Sequence, residues 1–132
     1  MILVDSNVLI DVIGNDPDWG DWSANALAEA ADRDTIAINP IIYAELSVTF
    51  ASEAALEAVL TPAQMQRLPL PYSAAFVAGK AFLEYRRRGG VRTSPLPDFY
   101  IGAHAAVSGL VLLTRDPSRY RSYFPKLQLW TP

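Results

Sequence analysis

The chain has 132 residues, 51% of them apolar, and a formal net charge of −3, which suits one compact domain over residues 1–132 with a real core and leaves no room for two. An excess of acid over base argues against a protein that coats DNA, since such binding is driven by Lys and Arg on the phosphates, but leaves room for a nuclease that captures phosphates through metal ions. With no cysteine and one histidine, neither a disulfide framework nor a sulfur–nitrogen zinc site can be assembled, so any metal would need oxygen ligands.

In chain order, residues 1–5 read as a short buried strand, too brief and too poorly flanked for a signal peptide. Ser6-Asn7 reads as a turn opening an apolar helix over 8–13, which Gly14-Asn15-Asp16-Pro17 ends. A second helix is predicted over 21–31 and a strand over 35–39. Asn39 as N-cap with Pro40 behind it then starts a helix over 40–50, apolar nearly all round and so expected to be buried on most sides. A more amphipathic helix covers 53–60. Residues 51–71 otherwise carry no clear pattern, and Leu68-Pro-Leu-Pro71 holds too much proline for a central strand. A long helix begins at Ser73 and ends at Arg86-Arg-Arg-Gly-Gly90, with Gly89 suited to its C-terminal cap. The helix 98–108, stopped by Gly109, leads to the apolar strand 110–114, and 127–130 is the last strand. No apolar run approaches the ~20 residues of a membrane span, so the expected location is the cytoplasm.

Strands apolar on both faces, alternating with helices, predict an α/β fold: a central parallel sheet covered by helices on both sides. In such sheets ligands bind beyond the carboxyl ends of the strands. Asp5 closes the first strand, Asp116 follows the strand ending at Thr114, and Asp98 sits in the first turn of the helix feeding that strand, so all three belong at one edge. Glu45 lies about 7.5 Å along its helix from Pro40. It is the only charge between Thr35 and Ala51, with Ile41, Ile42 and Val48 as helical neighbours, and is expected to face a buried side unless Arg92 or Arg115 neutralises it. Asp98 is the only acid between Val91 and Thr114. Ionised carboxylates in apolar settings are costly unless paired or metal-bound. Gathered together they repel by several kcal/mol per pair, roughly 4 at ~4 Å. Mg²⁺ or Mn²⁺ relieves such repulsion through oxygen ligands.

The pieces Val4-Asp-Ser-Asn-Val-Leu-Ile-Asp11, Tyr43-Ala-Glu-Leu46, Pro97-Asp-Phe-Tyr-Ile-Gly-Ala-His-Ala105 and Leu112-Leu-Thr-Arg-Asp-Pro-Ser-Arg-Tyr120 resemble PIN domains, in particular VapC-type toxins of type II toxin–antitoxin systems, and span almost the whole chain. The resemblance implies a three-layer sandwich and a Mg²⁺- or Mn²⁺-dependent endoribonuclease that cleaves RNA phosphodiesters with metal-activated water. It also implies a cognate antitoxin and a homodimer. By position it makes Asp5, Glu45, Asp98 and Asp116 the catalytic quartet, with Asp5, Asp98 and Asp116 as metal ligands and Asn7 and Thr114 as their polar support.

Arg115 and Arg119 lie nearest this quartet and are the candidates for phosphate contact. Arg86, Arg87 and Arg88 are better explained by the helix dipole and solubility than by RNA. His104, on an apolar helix, reads as a core or surface residue rather than a base, and Trp19, Trp22 and Trp130 as packing or interface residues rather than base-stacking platforms. Two other classes compete. A phosphotransfer domain would use Asp5 as acceptor, but Asn7 stands where a second acid is needed and no lysine follows a core strand. A degenerate domain that only binds RNA or a protein would not need the intact quartet.

Overall fold

The structure is a computed structural model that describes all residues, 1–132. Five parallel strands form one sheet in the order β3-β2-β1-β4-β5, with β1 Ile2–Val4, β2 Ile36–Ile38, β3 Gln66–Arg67, β4 Val111–Leu113 and β5 Leu129–Trp130. In β1, Leu3 sits opposite Ala37 of β2 and Leu112 of β4. Every residue of β1 and β2 is buried, as expected for apolar strands covered on both faces.

The chain steps outward from β1 to β2 and β3, then returns past β1 to β4 and β5. Right-handed crossovers therefore place the helices before β3 and those after it on opposite faces. The first group is α1 Ser6–Ile13, α2 Gly20–Arg33, α3 Pro40–Ser47 and α4 Glu53–Leu60; the second is α5 Tyr72–Arg87, α6 Pro97–Ser108 and α7 Ser118–Tyr123. Twenty-five buried apolar residues from strands and helices make one continuous cluster. The reversal of direction beside β1 is the switch point at which a doubly wound sheet opens a crevice.

Asn39 caps α3, accepting the Ile42 N–H at 2.9 Å. Gly109 ends α6 at φ +65°, a left-handed turn that glycine adopts without strain. Two expectations need correction, and two elements have no counterpart in the sequence pattern. First, α1 begins at Ser6 with Asp5 at the N-cap position, so Asn7 lies inside its first turn, not before it. Second, α3 stops at Ser47 and buries only Ile42 and Leu46; Val48 is 84% exposed. Its outer face has no layer above it, because the sheet needs only one side of the helix.

The edge strand β3 is not predicted by the sequence pattern; it lies just before the proline-rich stretch 68–71, which is consistent with that stretch being no central strand. Its residues are exposed and polar, and Arg67 reaches Glu57 of α4 at 2.7 Å, a device that blunts a sheet edge. The short helix α7 is not predicted either, since the spacing of Tyr120, Tyr123 and Phe124 is its only trace in the sequence. Six residues with two arginines and no aliphatic side chain make too short a stripe to announce a helix, and α7 is held by the buried Tyr120 and by Phe124 just beyond it. Room for both comes from Gly102 on α6, where a Cβ would stand 2.5 Å from the Phe124 ring and 3.1 Å from Tyr120.

Candidate acidic site at the sheet switch point

Asp5 leaves the end of β1 with its backbone N–H on the Leu113 carbonyl, 2.9 Å away, so its side chain enters the crevice between β1 and β4. It is 3% exposed. Its Oδ2 accepts from the Tyr120 hydroxyl at 2.8 Å and the Thr114 hydroxyl at 2.9 Å, with the Asn7 amide at 3.4 Å. Asn7 Nδ2 also donates to Thr114 Oγ1 at 3.1 Å, and the Asp116 backbone N–H reaches the same hydroxyl at 3.2 Å. Burial pushes the Asp5 carboxyl up to about 6; the Tyr120 and Thr114 hydrogen bonds oppose this, and the nearby charge of Asp98 adds to it.

Glu45 is half-buried and accepts from Ser6 Oγ at 2.9 Å. Burial raises its pKa, and Asp5 and Asp98 raise it further. The arginine proposed to neutralise it does not: Arg115 pairs with Asp11 and Arg92 is exposed. Asp98 enters from the first turn of α6, with Tyr120 Oη 3.4 Å from its Oδ1 and Arg119 3.4 Å from its Oδ2. Its pKa is raised, chiefly by burial, against the pull of Arg119. Asp116, in the turn after β4, accepts from the Ser118 hydroxyl at 3.2 Å. Three chain regions therefore bring acids to the carboxyl edge, and α3 adds Glu45 through Ser6.

These acids sense one another without closing on a single point: no three His, Asp or Glu side chains converge into a ready-made metal site. The donor chemistry nonetheless suits a hard divalent cation. Every candidate ligand atom is a carboxylate oxygen, burial and mutual repulsion disfavour the charge on Asp5, Glu45 and Asp98, and one partly exposed arginine is the only cation paired with the four.

Other candidates have local partners. Arg115 donates through Nε to the buried Asp11 at 2.6 Å and lies over the Trp19 ring, 5.9 Å from its centroid. Ser23 completes the Asp11 site at 2.8 Å. Arg86 holds the Gly90 and Arg92 carbonyls, while Arg88 reaches Glu84 and Ser122; two of the three consecutive arginines thus tie down structure, and Arg87 has no such bond. His104 is a core residue whose Nδ1 accepts from Asn39 Nδ2 at 3.0 Å, because Asn39 Oδ1 is taken by Ile42. Trp19 and Trp22 pack edge to face, and Trp130 lies under Arg33. Sequence reasoning missed Tyr120, Ser6 and Asp11. Only Tyr120 left a trace, since Tyr120, Tyr123 and Phe124 repeat at helical spacing after Pro117.

The sequence profile of the PIN domain family matches residues 2–124, and the chain belongs to that family. No curated protein matches it closely. Among solved structures it is similar to VapBC2 from Rickettsia felis bound to a DNA fragment from the promoter (23% identity, TM-score 0.75, 100% of this chain and 99% of that one). It is also similar to VapBC-1 from nontypeable Haemophilus influenzae (23%, 0.74, 99% and 98%) and a toxin-antitoxin complex from Klebsiella pneumoniae (22%, 0.70, 96% and 95%). At these identities what is shared is the fold, a parallel sheet between helical layers.

Proposed function

We propose that this PIN domain is the endoribonuclease toxin of a toxin–antitoxin pair and cleaves RNA phosphodiesters with Mg²⁺ or Mn²⁺. The observation that carries this reading is the placement of Asp5, Glu45, Asp98 and Asp116, from separate parts of the chain, around the switch-point crevice with too little positive charge to neutralise them. Asp5, Asp98 and Asp116 would hold the ion. A divalent cation there supplies Lewis acidity to the phosphodiester and acidifies water. Glu45, its pKa raised and its carboxylate oriented by Ser6, is suited to accept a proton from water near the scissile bond. Thr114 and Asn7 fix Asp5, and Arg119, 41% exposed beside Asp98, is available to a phosphate. Arg115 is a weaker candidate because Asp11 already occupies its Nε.

An apolar groove formed by Ile41, Ala44, Val48, Pro95, Pro97 and Tyr100 runs past Glu45. It supports an antitoxin that covers the acids, and the similar complexes named above favour the same partner. Exposed Tyr72, Phe76 and Leu83 on α5 support a homodimer. The decisive assay is cleavage of varied RNAs by purified protein with Mg²⁺ or Mn²⁺. Cleavage is expected to stop with a chelator and to fall by at least about 100-fold in Asp5→Asn and Asp98→Asn. Wild-type rates in both variants would overturn the assignment. The absence of three converged acids favours a second reading, a binding domain without catalysis; RNA binding with no cleavage under either ion would establish it.

A further inference from the structure

The hydrogen bonds at Asp5 are unequal between its two oxygens. Two donors close on Oδ2, Tyr120 from α7 at 2.8 Å and Thr114 from the end of β4 at 2.9 Å, with the Asn7 amide of α1 a weaker third at 3.4 Å. Oδ1 has only weak company from Ser6: the hydroxyl lies 3.4 Å away and has a much better acceptor in Glu45 Oε1 at 2.9 Å, and the Ser6 backbone N–H meets the carboxylate only at the margin, as the weakest of the groups that favour its charge. A hydroxyl carries one hydrogen, so Oδ1 is left without a strong donor, although every buried polar side-chain atom has some neighbour within hydrogen-bonding range. By the same count the Tyr120 hydrogen belongs to Asp5 at 2.8 Å, and the 3.4 Å approach to Asp98 is contact only.

We propose that Tyr120 is a positioning residue of the acidic site: its hydroxyl, with Thr114 and Asn7, occupies Asp5 Oδ2 so that the carboxylate presents Oδ1 alone to a cation. This rests on the cation-binding reading above and adds a residue to it. The chemistry of the donors fits the task. Arginine or lysine would hold Oδ2 as firmly but would neutralise the charge a cation needs, whereas hydroxyls and an amide orient the carboxylate and leave its charge in place. Tyr120 is also fixed from behind. Its ring is fully buried in the space left by Gly102, next to Phe124, so the hydroxyl has little freedom to follow a displaced carboxylate.

The test is Mn²⁺ binding by titration calorimetry, with free Mn²⁺ counted by electron paramagnetic resonance, on wild type, Tyr120→Phe and Tyr123→Phe. The last removes a hydroxyl from the same helix that has no hydrogen bond to the site. Tyr120→Phe should bind Mn²⁺ about tenfold more weakly, the usual scale for losing a partner that orients a ligand, and Tyr123→Phe should match wild type. Equal affinity for Tyr120→Phe and wild type, with a lowered melting temperature, would make Tyr120 a packing residue and overturn the inference while leaving the cation reading intact. No binding by wild type would overturn both. If Tyr120→Phe fails to fold, Thr114→Ser and Thr114→Val decide the matter: retention with Ser and loss with Val supports the clamp on Oδ2, and equal affinities reject it.

Discussion

Two aspartates six residues apart, Asp5 and Asp11, are both almost fully buried, and the protein treats them in opposite ways. Asp11 receives a guanidinium and a hydroxyl, Arg115 at 2.6 Å and Ser23 at 2.8 Å. Asp5 receives neutral donors only, and burial lifts its pKa to about 6. A paired buried charge is compensated; an oriented but unneutralised one costs stability, which on the function proposed above a bound cation would relieve. Arg115 sits in the chain between Thr114, which serves Asp5, and the site acid Asp116, so one short loop supplies both treatments.

The largest way to break this contrast is Arg115→Met, which strands the Asp11 carboxylate. Because Arg115 is itself 30% exposed, the expected loss is at the low end for a broken buried pair, about 3 kcal/mol, read from urea denaturation at pH 7. The opposite sign is expected at the other aspartate. Asp5→Asn removes an uncompensated charge and keeps an acceptor for Tyr120 and Thr114, so the metal-free protein should become more stable by about 2 kcal/mol at pH 8, within the ~3 kcal/mol that a rise from 3.8 to about 6 allows.

The same difference has a defined pH dependence. The folded protein binds the Asp5 proton more tightly than the unfolded chain. Its contribution is therefore fully present below 3.8 and is lost as pH rises through about 6. The stability gap between wild type and Asp5→Asn should close across that window on acidification, and Mn²⁺ should narrow it at pH 8. A gap that does not change between pH 8 and 4 would mean that Asp5 is not held out of balance. Taking the difference between the two proteins cancels Asp34 and Glu57, whose pairs with the Met1 ammonium and Arg67 push the other way.

Smaller effects sharpen the comparison. Gly102→Ala drives a methyl against Phe124 and Tyr120, disturbing the neutral donor of Asp5 and leaving Arg115–Asp11 alone. Overpacking set against the gain in helix propensity leaves a net loss of about 1 kcal/mol, measurable by calorimetric melting. Least of all, Glu84→Gln breaks the exposed pair with Arg88 and should cost about 0.3 kcal/mol.

The alternation of apolar strands with capped helices was enough to predict the parallel sheet, because a strand buried on both faces has no other home. It also placed Asp5, Asp98 and Asp116 at one edge, since in such a sheet the ends of strands and the starts of the returning helices share that edge. Residue order could not say which acid would be neutralised. Asp5 and Asp11 look alike along the chain, and their fates depend on partners about a hundred residues away that only the packing of β1 against β4 brings near. Nor could it foresee Tyr120, whose short helix exists because Gly102 leaves room for it, or the bare outer face of α3, where apolar sequence overstated burial. Local pattern determines the strands and helices and the edge at which they end. Tertiary structure decides which buried charge is neutralised and which is left open.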